Sequence, residues 1–331
     1  MDQTTMQSYW MQQNADSSVL EQRVVPVPVP GAQQLLVRVR AASLNRGEFV
    51  AGHGLHGAPG SWKAIGGECS GEVAALGEGV TGFTAGERVM GRCAGAFSEY
   101  ALIDTAEAMH VPAGISWEEA GCIPMTFLVS YDMLVLQGQL ESGQWVLING
   151  VSSGVGVASL QLAKALGARV IGTSGSQEKL QSLAPLGLDL GIQTRAPDFS
   201  ARVLEATGQQ GANLVINTVG GSVFAESIRS LAFEGRLATV GYVDAVVHAD
   251  IDLGTLHAKR LTVFGVSNKL RTKAQRSAAI PRFVADVLPL FASGRIRPHI
   301  DETVDFAHLA QAKARMEAGH HAGKIVLTMP A

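Results

Sequence analysis

The sequence is poor in charge, aromatic rings and cysteine. Charged residues make up 17% of its 331 positions and aromatic residues 6%. The formal net charge is −3, and no long block of one sign occurs. Composition therefore gives no case for nucleic acid or an anionic membrane as a partner. The three cysteines, Cys69, Cys93 and Cys122, form no C-x-x-C pair. An odd, small number argues against a disulfide framework, and a reducing, cytoplasmic setting is expected. No apolar run approaches the roughly 20 residues that span a bilayer. The first residues lack a basic start followed by an apolar stretch, so no secretory leader is expected.

Glycine is abundant, at 38 residues, and apolar side chains reach 47%. The apolar share suits a large core. The glycines suit turns and close backbone approaches, as where a chain wraps a nucleotide. The length predicts two domains.

The first third reads as a mostly β lobe. Val24–Val29 alternates Val with Pro and is expected on a sheet edge, because Pro cannot donate to a ladder. Leu35–Val39, Gly66–Leu76 and Glu87–Val89 are further strand candidates between Gly-rich turns. Near Ser116 the texture changes. Ser116 and Glu119 form a capping box, and Thr126–Leu136 is apolar enough for a helix. From Trp145 onward strands alternate with helices. Strands are expected at Trp145–Asn149, Arg169–Thr173, Leu214–Asn217, Arg236–Val240 and Leu261–Gly265. Helices are expected at Val155–Leu166, Gln177–Leu186, Ser200–Thr207, Val223–Leu231 and Ala274–Phe291. That alternation predicts a parallel, doubly wound sheet. A last helix, Phe306–Ala318, and a closing strand, Lys324–Thr328, end the chain; the strand is expected to rejoin the first lobe.

The strongest functional signal runs from Trp145 to Lys179. An apolar strand ends at Asn149, a small-residue turn follows, and an amphipathic helix begins at once. This is the context in which a glycine fingerprint binds a dinucleotide. The turn residues Val151, Ser152, Ser153, Gly154, Val155 and Gly156 are the expected phosphate cradle. A helix N-terminus offers unpaired N–H groups and the positive end of the dipole. Gly154 lets the backbone approach the phosphates, and Gly156 lets the helix sit close to the strand. The motif departs from G-x-G-x-x-G in that Val151 stands at the first strict Gly position.

NAD-specific sites place an acid near the end of the second strand. Here that stretch is Gly172-Thr173-Ser174-Gly175-Ser176, and no acid appears before Glu178. Ser174 and Lys179 suit a 2′-phosphate, so NADPH is expected over NADH. Gly241 and Lys324 complete the expected cofactor-binding set.

With these features in place, the chain resembles the medium-chain dehydrogenase/reductase superfamily, nearest its zinc-independent quinone oxidoreductase (ζ-crystallin-like) branch. The resemblance rests on Ala41–Phe49, Gly66–Val89, Gly95–Ile103, Ile123–Leu134, the V-S-S-G-V-G turn and Gly319–Thr328, and runs nearly end to end. It implies an α/β fold: a GroES-like, mostly β catalytic domain over 1–122 and 268–331, and a Rossmann NADP-binding domain with a doubly wound parallel sheet over 123–267. It also implies an active site in a cleft.

By the same alignment, the catalytic zinc-ligand positions of the superfamily fall on Asn45, Gly67 and Met125, none a normal zinc ligand. The four-cysteine lobe that holds structural zinc is absent. No metal is therefore expected. His53 and His56, spaced H-x-x-H, and the adjacent His320 and His321 show no obvious third ligand and read as loop residues.

Without a Lewis acid, hydride transfer needs an electron-poor acceptor. The expected reaction is NADPH-dependent reduction of a quinone or α,β-unsaturated carbonyl. Catalytic candidates are Asn45, as donor to a carbonyl oxygen; Arg46, for negative charge or in an ion pair with Glu48; and Tyr131, as a weaker donor. The sequence also resembles enoyl reductase domains of polyketide synthases, although Arg46-Gly47-Glu48 replaces their aromatic-Arg-Asp segment. A trans-acting enoyl-thioester reductase is one alternative, and a non-enzymatic nucleotide-binding or RNA-binding protein is another. A homodimer, paired through the edge strand near Leu261–Gly265, is expected.

Overall fold

The computed structural model describes residues 4–13, 18–49 and 60–330. His53, His56 and the loop around them lie outside the described residues. The chain divides into two compact units, Met1–Met125 with Asn268–Ala331, and Thr126–Ser267.

The first unit is β-rich because its short apolar runs alternate and are cut by glycine turns. Its strands are β1 (Thr5–Gln13), β2 (Ser18–Pro26), β3 (Gln34–Ser43), β4 (Trp62–Ala64), β5 (Glu68–Leu76), β6 (Arg88–Arg92), β7 (Tyr100–Asp104) and β8 (Ala108–His110). β2, β1 and β4 form a small sheet in that order, with β2 at its edge; β2 ends at Pro26, so the Val27–Val29 part of the expected edge segment lies beyond the strand. The capping box holds: Ser116 Oγ accepts the Glu119 N–H, and the Glu119 carboxylate accepts the Ser116 N–H.

The second unit is a parallel sheet of β9 (Trp145–Asn149), β10 (Arg169–Ser174), β11 (Leu190–Gln193), β12 (Ala212–Asn217), β13 (Leu231–Thr239) and β14 (Thr262–Gly265). The order is β11-β10-β9-β12-β13-β14. Strand order reverses between β9 and β12, the switch point at which open α/β sheets bind ligands beyond their carboxyl ends. Leu147, Ile171, Val215 and Leu237 are fully buried, the two-sided burial that makes parallel strands continuously apolar.

The chain then returns to the first unit with β15 (Ile300–Asp305) and β16 (Lys324–Thr328). They extend the large sheet as β15-β16-β3-β5-β6-β8, and β16 pairs antiparallel with β3. The closing strand thus rejoins the first lobe.

Gln177–Leu186 and Phe306–Ala318 each include a 3₁₀ turn, Leu231 opens β13 instead of ending a helix, and two expected helices differ more. The span Ala274–Phe291 is three short helices, Lys273–Ser277, Ile280–Asp286 and Leu288–Ala292. Pro281 and Pro289 sit in the opening turns of the latter two, where a missing N–H costs nothing; inside one helix each would remove a hydrogen bond. The helix from Thr126 is α-helical only to Tyr131 and widens to a π-turn over Asp132–Leu136.

Candidate functional site

The turn after β9 is assembled by a buried polar network. Asn149 donates its amide to Ser227 Oγ at 2.7 Å and accepts from Thr173 Oγ1 at 3.2 Å. Thr218 Oγ1 donates to the Asn149 carbonyl at 2.8 Å. These contacts tie together the carboxyl ends of β9, β10 and β12. Gly150 adopts φ of 73°, and a Cβ there would lie 2.4 Å from Thr218 Oγ1. A side chain at this position is excluded both by conformation and by space.

Ser153 caps the helix Gly154–Ala165, its Oγ accepting the Gly156 N–H at 3.0 Å. The amides of Gly154 and Val155 open the helix and have no intrahelical acceptor. Both residues are partly exposed and stand at the positive end of the helix dipole. Val151 does not imitate the missing glycine. Its side chain is fully buried and fills the space above Gly172, where a Cβ would come within 2.6 Å of Val151 Cγ1. Glycine on β10 thus makes room for valine in the turn.

Ser174 ends β10. Its Oγ lies 3.3 Å from Ser152 Oγ and accepts the Ser176 N–H at 3.3 Å. Ser176 caps the next helix by accepting the Lys179 N–H. Arg195, which the sequence reading missed, lies beside this turn: a Cβ on Gly175 would be 2.6 Å from Arg195 Nε. The structure therefore gathers Ser174, Ser176, the Lys179 backbone and the Arg195 guanidinium at one strand end. Gly241 packs against Thr218, where a Cβ would be 2.9 Å from the carbonyl oxygen. Tyr131 is buried within the second unit.

The other sequence candidates belong to the first unit, in a cluster of two glutamates and one lysine. Glu48, Glu68 and Lys324 are 3%, 0% and 5% exposed. Glu68 Oε1 accepts from Ser43 Oγ at 2.6 Å, Asn45 Nδ2 at 2.9 Å and Lys324 Nζ at 3.0 Å. Its Oε2 accepts the Met125 N–H at 2.7 Å. Lys324 spends its other hydrogens on Asn45 Oδ1 and the Leu44 carbonyl. The Asn45 amide also donates to Glu48 Oε1 at 3.2 Å. Both Asn45 N–H hydrogens are thus directed at carboxylates, and its oxygen at an ammonium, leaving no amide hydrogen for a substrate oxygen. Lys324, expected among the cofactor contacts, is held inside this cluster.

Arg46 does not pair with Glu48. Its guanidinium donates to the Met316 carbonyl at 2.8 Å, on the last turn of the helix Leu309–Glu317. A cation suits the negative end of a helix.

Burial pushes the Glu48 carboxyl up to about 7, only partly opposed by the Lys324 ammonium and the Asn45 hydrogen bonds. A raised folded-state value means the native protein holds a proton that the unfolded chain releases. That stabilising contribution is complete below about pH 4.5 and is lost as pH rises through about 7. It amounts to about 3 kcal/mol over that window. Denaturant titrations at stepped pH are expected to show this slope in the wild type and not in Glu48→Gln.

Comparison with known proteins places these features. The family described as "Alcohol dehydrogenase GroES-like domain" matches residues 31–113, and "Zinc-binding dehydrogenase" matches residues 154–284. Acryloyl-coenzyme A reductase of Metallosphaera sedula is 30% identical over 93% of this chain and 96% of its own length. A phenolphthiocerol/phthiocerol polyketide synthase of Mycobacterium tuberculosis is 31% identical over 91% of this chain, which spans only 14% of that relative. Among solved structures, mycobacterial Rv1454c complexed with NADPH superposes with a TM-score of 0.87 at 26% identity, covering 98% of this chain and 99% of that one.

The description of the second family implies zinc, and the residues here do not fit it. At the aligned ligand positions stand an amide, a glycine and a thioether. A Cβ on Gly67 would lie 2.8 Å from Glu48 Oε1, so a carboxyl group already fills the space a ligand at 67 needs. The adjoining Glu68 is occupied by the Lys324 ammonium, a charge that opposes a cation. Among the described residues no group of three or more His, Cys, Asp or Glu is placed to hold a metal.

Proposed function

We propose a function from one premise: the chain belongs to the medium-chain dehydrogenase/reductase superfamily. It is an NADPH-dependent reductase of α,β-unsaturated carbonyl compounds, with enoyl thioesters as the favoured class, and it works without zinc. The observation that carries this reading is the open helix N-terminus at the switch point of the parallel sheet, beside a strand end that offers hydroxyls and a guanidinium in place of an acid. That combination suits a pyrophosphate and a 2′-phosphate together. When bound, the nicotinamide supplies hydride. The thioester preference draws on acryloyl-coenzyme A reductase and the polyketide synthase among its relatives.

The chain's own residues bind and orient the dinucleotide through the Ser153-capped turn. In the first unit, the Asn45–Glu68–Lys324 cluster fixes the loop at 44–48 that carries Glu48. NADPH oxidation with crotonyl- and acryloyl-thioesters, enones and quinones tests the reading. Turnover is expected with the thioesters and enones. Consumption with quinones alone would replace the substrate class, and tight NADPH binding with no acceptor turned over would favour a non-enzymatic nucleotide-binding role. The setting is taken as cytoplasmic.

The protein acts as a homodimer in this reading. β14 is the edge of the parallel sheet, yet Thr262, Val263 and Gly265 are exposed where parallel strands are usually covered. A two-fold axis beside β14 covers that edge. Val263→Lys is expected to shift sedimentation from dimer to monomer at micromolar concentration; a wild type that sediments as a monomer would contradict the pairing.

A further inference from the structure

Two turns lead from strand to helix at the switch point of the second unit, one after β9 and one after β12, and they differ in charge. The turn after β9 is capped by the neutral hydroxyl of Ser153. The turn after β12, which opens the helical stretch Gly221–Arg229, is capped by an acid. Asp244, beyond the end of β13, accepts the Ser222 N–H at 2.9 Å and the Ser222 hydroxyl at 2.5 Å on Oδ2, and the Val246 N–H at 2.9 Å on Oδ1. A carboxylate at this helix start repels phosphate, whereas the β9 turn attracts it.

The space for that carboxylate is built in. Gly220 has φ of 131°, and a Cβ there would lie 2.0 Å from Asp244 Oδ1. Buried Asn217 shapes the same turn. Its Oδ1 accepts the Val219 and Gly220 N–H groups at 3.0 Å, and its amide donates to the Gly220 carbonyl at 2.8 Å. Two backbone bonds add to the join: the Asp244 N–H donates to the Val219 carbonyl at 3.0 Å, and the Gly221 N–H to the Val246 carbonyl at 2.8 Å. Ala245 has φ of 59°, a left-handed conformation that a residue with a Cβ keeps only where its surroundings hold it. No strand or helix lies between β13 and Leu253, so contacts of this kind give the loop its shape.

We propose that Asp244 is a positioning residue for the nicotinamide half of NADPH. It latches the loop after β13 to the turn after β12, and so fixes the backbone of Thr218–Gly220 and Gly241–Val243. The inference rests on the NADPH-binding reading above. A dinucleotide lies across the carboxyl ends of a doubly wound sheet, with one nucleotide on each half. The 2′-phosphate end belongs with Ser174 and Arg195, at the ends of β10 and β11. The nicotinamide half then falls to β12 and β13, on the side where Asp244 disfavours phosphate. An uncharged carboxamide and a flat ring call for a fixed backbone edge there. Asp244 acts through that edge, because its own carboxylate is engaged by Ser222 and Val246. Without the latch, binding must also order the loop, at an entropic cost.

The test separates the two halves of the cofactor by calorimetric titration with NADPH and with 2′,5′-ADP, which lacks the nicotinamide half. Asp244→Ala is expected to weaken NADPH binding about tenfold to a hundredfold and to leave 2′,5′-ADP within about twofold. Asp244→Asn keeps an oxygen for the Val246 N–H but offers Ser222 an amide nitrogen that cannot accept, and is expected to fall between wild type and Asp244→Ala. Gly220→Ala is expected to reproduce the NADPH-only loss, because its methyl group takes the place of the carboxylate; it carries the test if Asp244→Ala folds poorly. The emission of bound NADPH is expected to drop in Asp244→Ala even at saturation, as the ring meets more water. Equal weakening of both ligands in variants that circular dichroism shows to be folded would overturn the proposal. So would unchanged NADPH affinity in Asp244→Ala and Gly220→Ala, with the cofactor reading left standing. A wild type that binds neither NADPH nor 2′,5′-ADP sinks the cofactor reading, and the role of Asp244 falls with it.

Discussion

Gly156→Val is expected to reduce NADPH affinity at least a hundredfold, a loss of about 3 kcal/mol. A Cβ at this position would lie 2.5 Å from the Gly150 carbonyl oxygen and 2.6 Å from that of Val151. Both obstacles are backbone, so neither can swing aside as a side chain would. The helix must move away from β9, and the amides of Gly154 and Val155 move with it. Overpacking of this kind costs typically 1–3 kcal/mol of stability, roughly. Circular dichroism therefore accompanies the fluorescence titration, to show that the variant is folded. Retention of affinity within threefold in a folded variant would mean that phosphates do not rest on this helix.

Arg195→Ala is expected to weaken NADPH binding by about tenfold to a hundredfold and to leave NADH unchanged, in line with the roughly 1.5–3 kcal/mol of a charge-assisted hydrogen bond. The side chain is exposed, so little stability is at stake, and the effect is confined to a ligand that brings a 2′-phosphate. Gly175→Ala should act in the same direction, because its new methyl group displaces the guanidinium. Parallel titrations with 2′-AMP and 5′-AMP isolate the contribution. Equal losses for NADPH and NADH would show that Arg195 supports the fold of the turn instead of reading the phosphate.

The strand–turn–helix after β9 was legible in the sequence because everything that makes it is local. Strand, small-residue turn, cap and helix follow one another within Trp145–Ala165, and each has its own pattern. The parallel sheet was legible for the same reason, as were the β2 edge and the Ser116 capping box. Arg195 was missed because it lies twenty residues beyond Gly175 in the chain. A signal existed. In parallel strands the carboxyl ends lie level, and Ser174 is paired with Gln193. A basic residue just past the third strand is thereby brought beside the residue just past the second.

The buried cluster had no comparable signal. Lys324 meets Glu68 across 256 positions of sequence, and Glu48 meets Gly67 across 19. No periodicity reports which charged residues a β-rich lobe will bury together. Sequence reasoning therefore gave Asn45 a free amide and offered Arg46 as a partner for Glu48. The structure spends that amide on the two glutamates and sends Arg46 to a helix end. The single helix expected over Ala274–Phe291 failed on a visible cue, since two prolines inside a helical pattern mark new helix starts.

Metal-free hydride transfer from NADPH to a conjugated thioester is the reaction expected of this chain. Its most direct test is a single-turnover reaction of chelator-treated protein with stereospecifically deuterated NADPH and crotonyl thioester, the product being read by mass spectrometry and NMR. Deuterium is expected at the β-carbon, a solvent-derived proton at the α-carbon, and an unchanged rate after chelation. Loss of turnover on chelation with recovery on adding zinc would contradict it, as would a product carrying no deuterium.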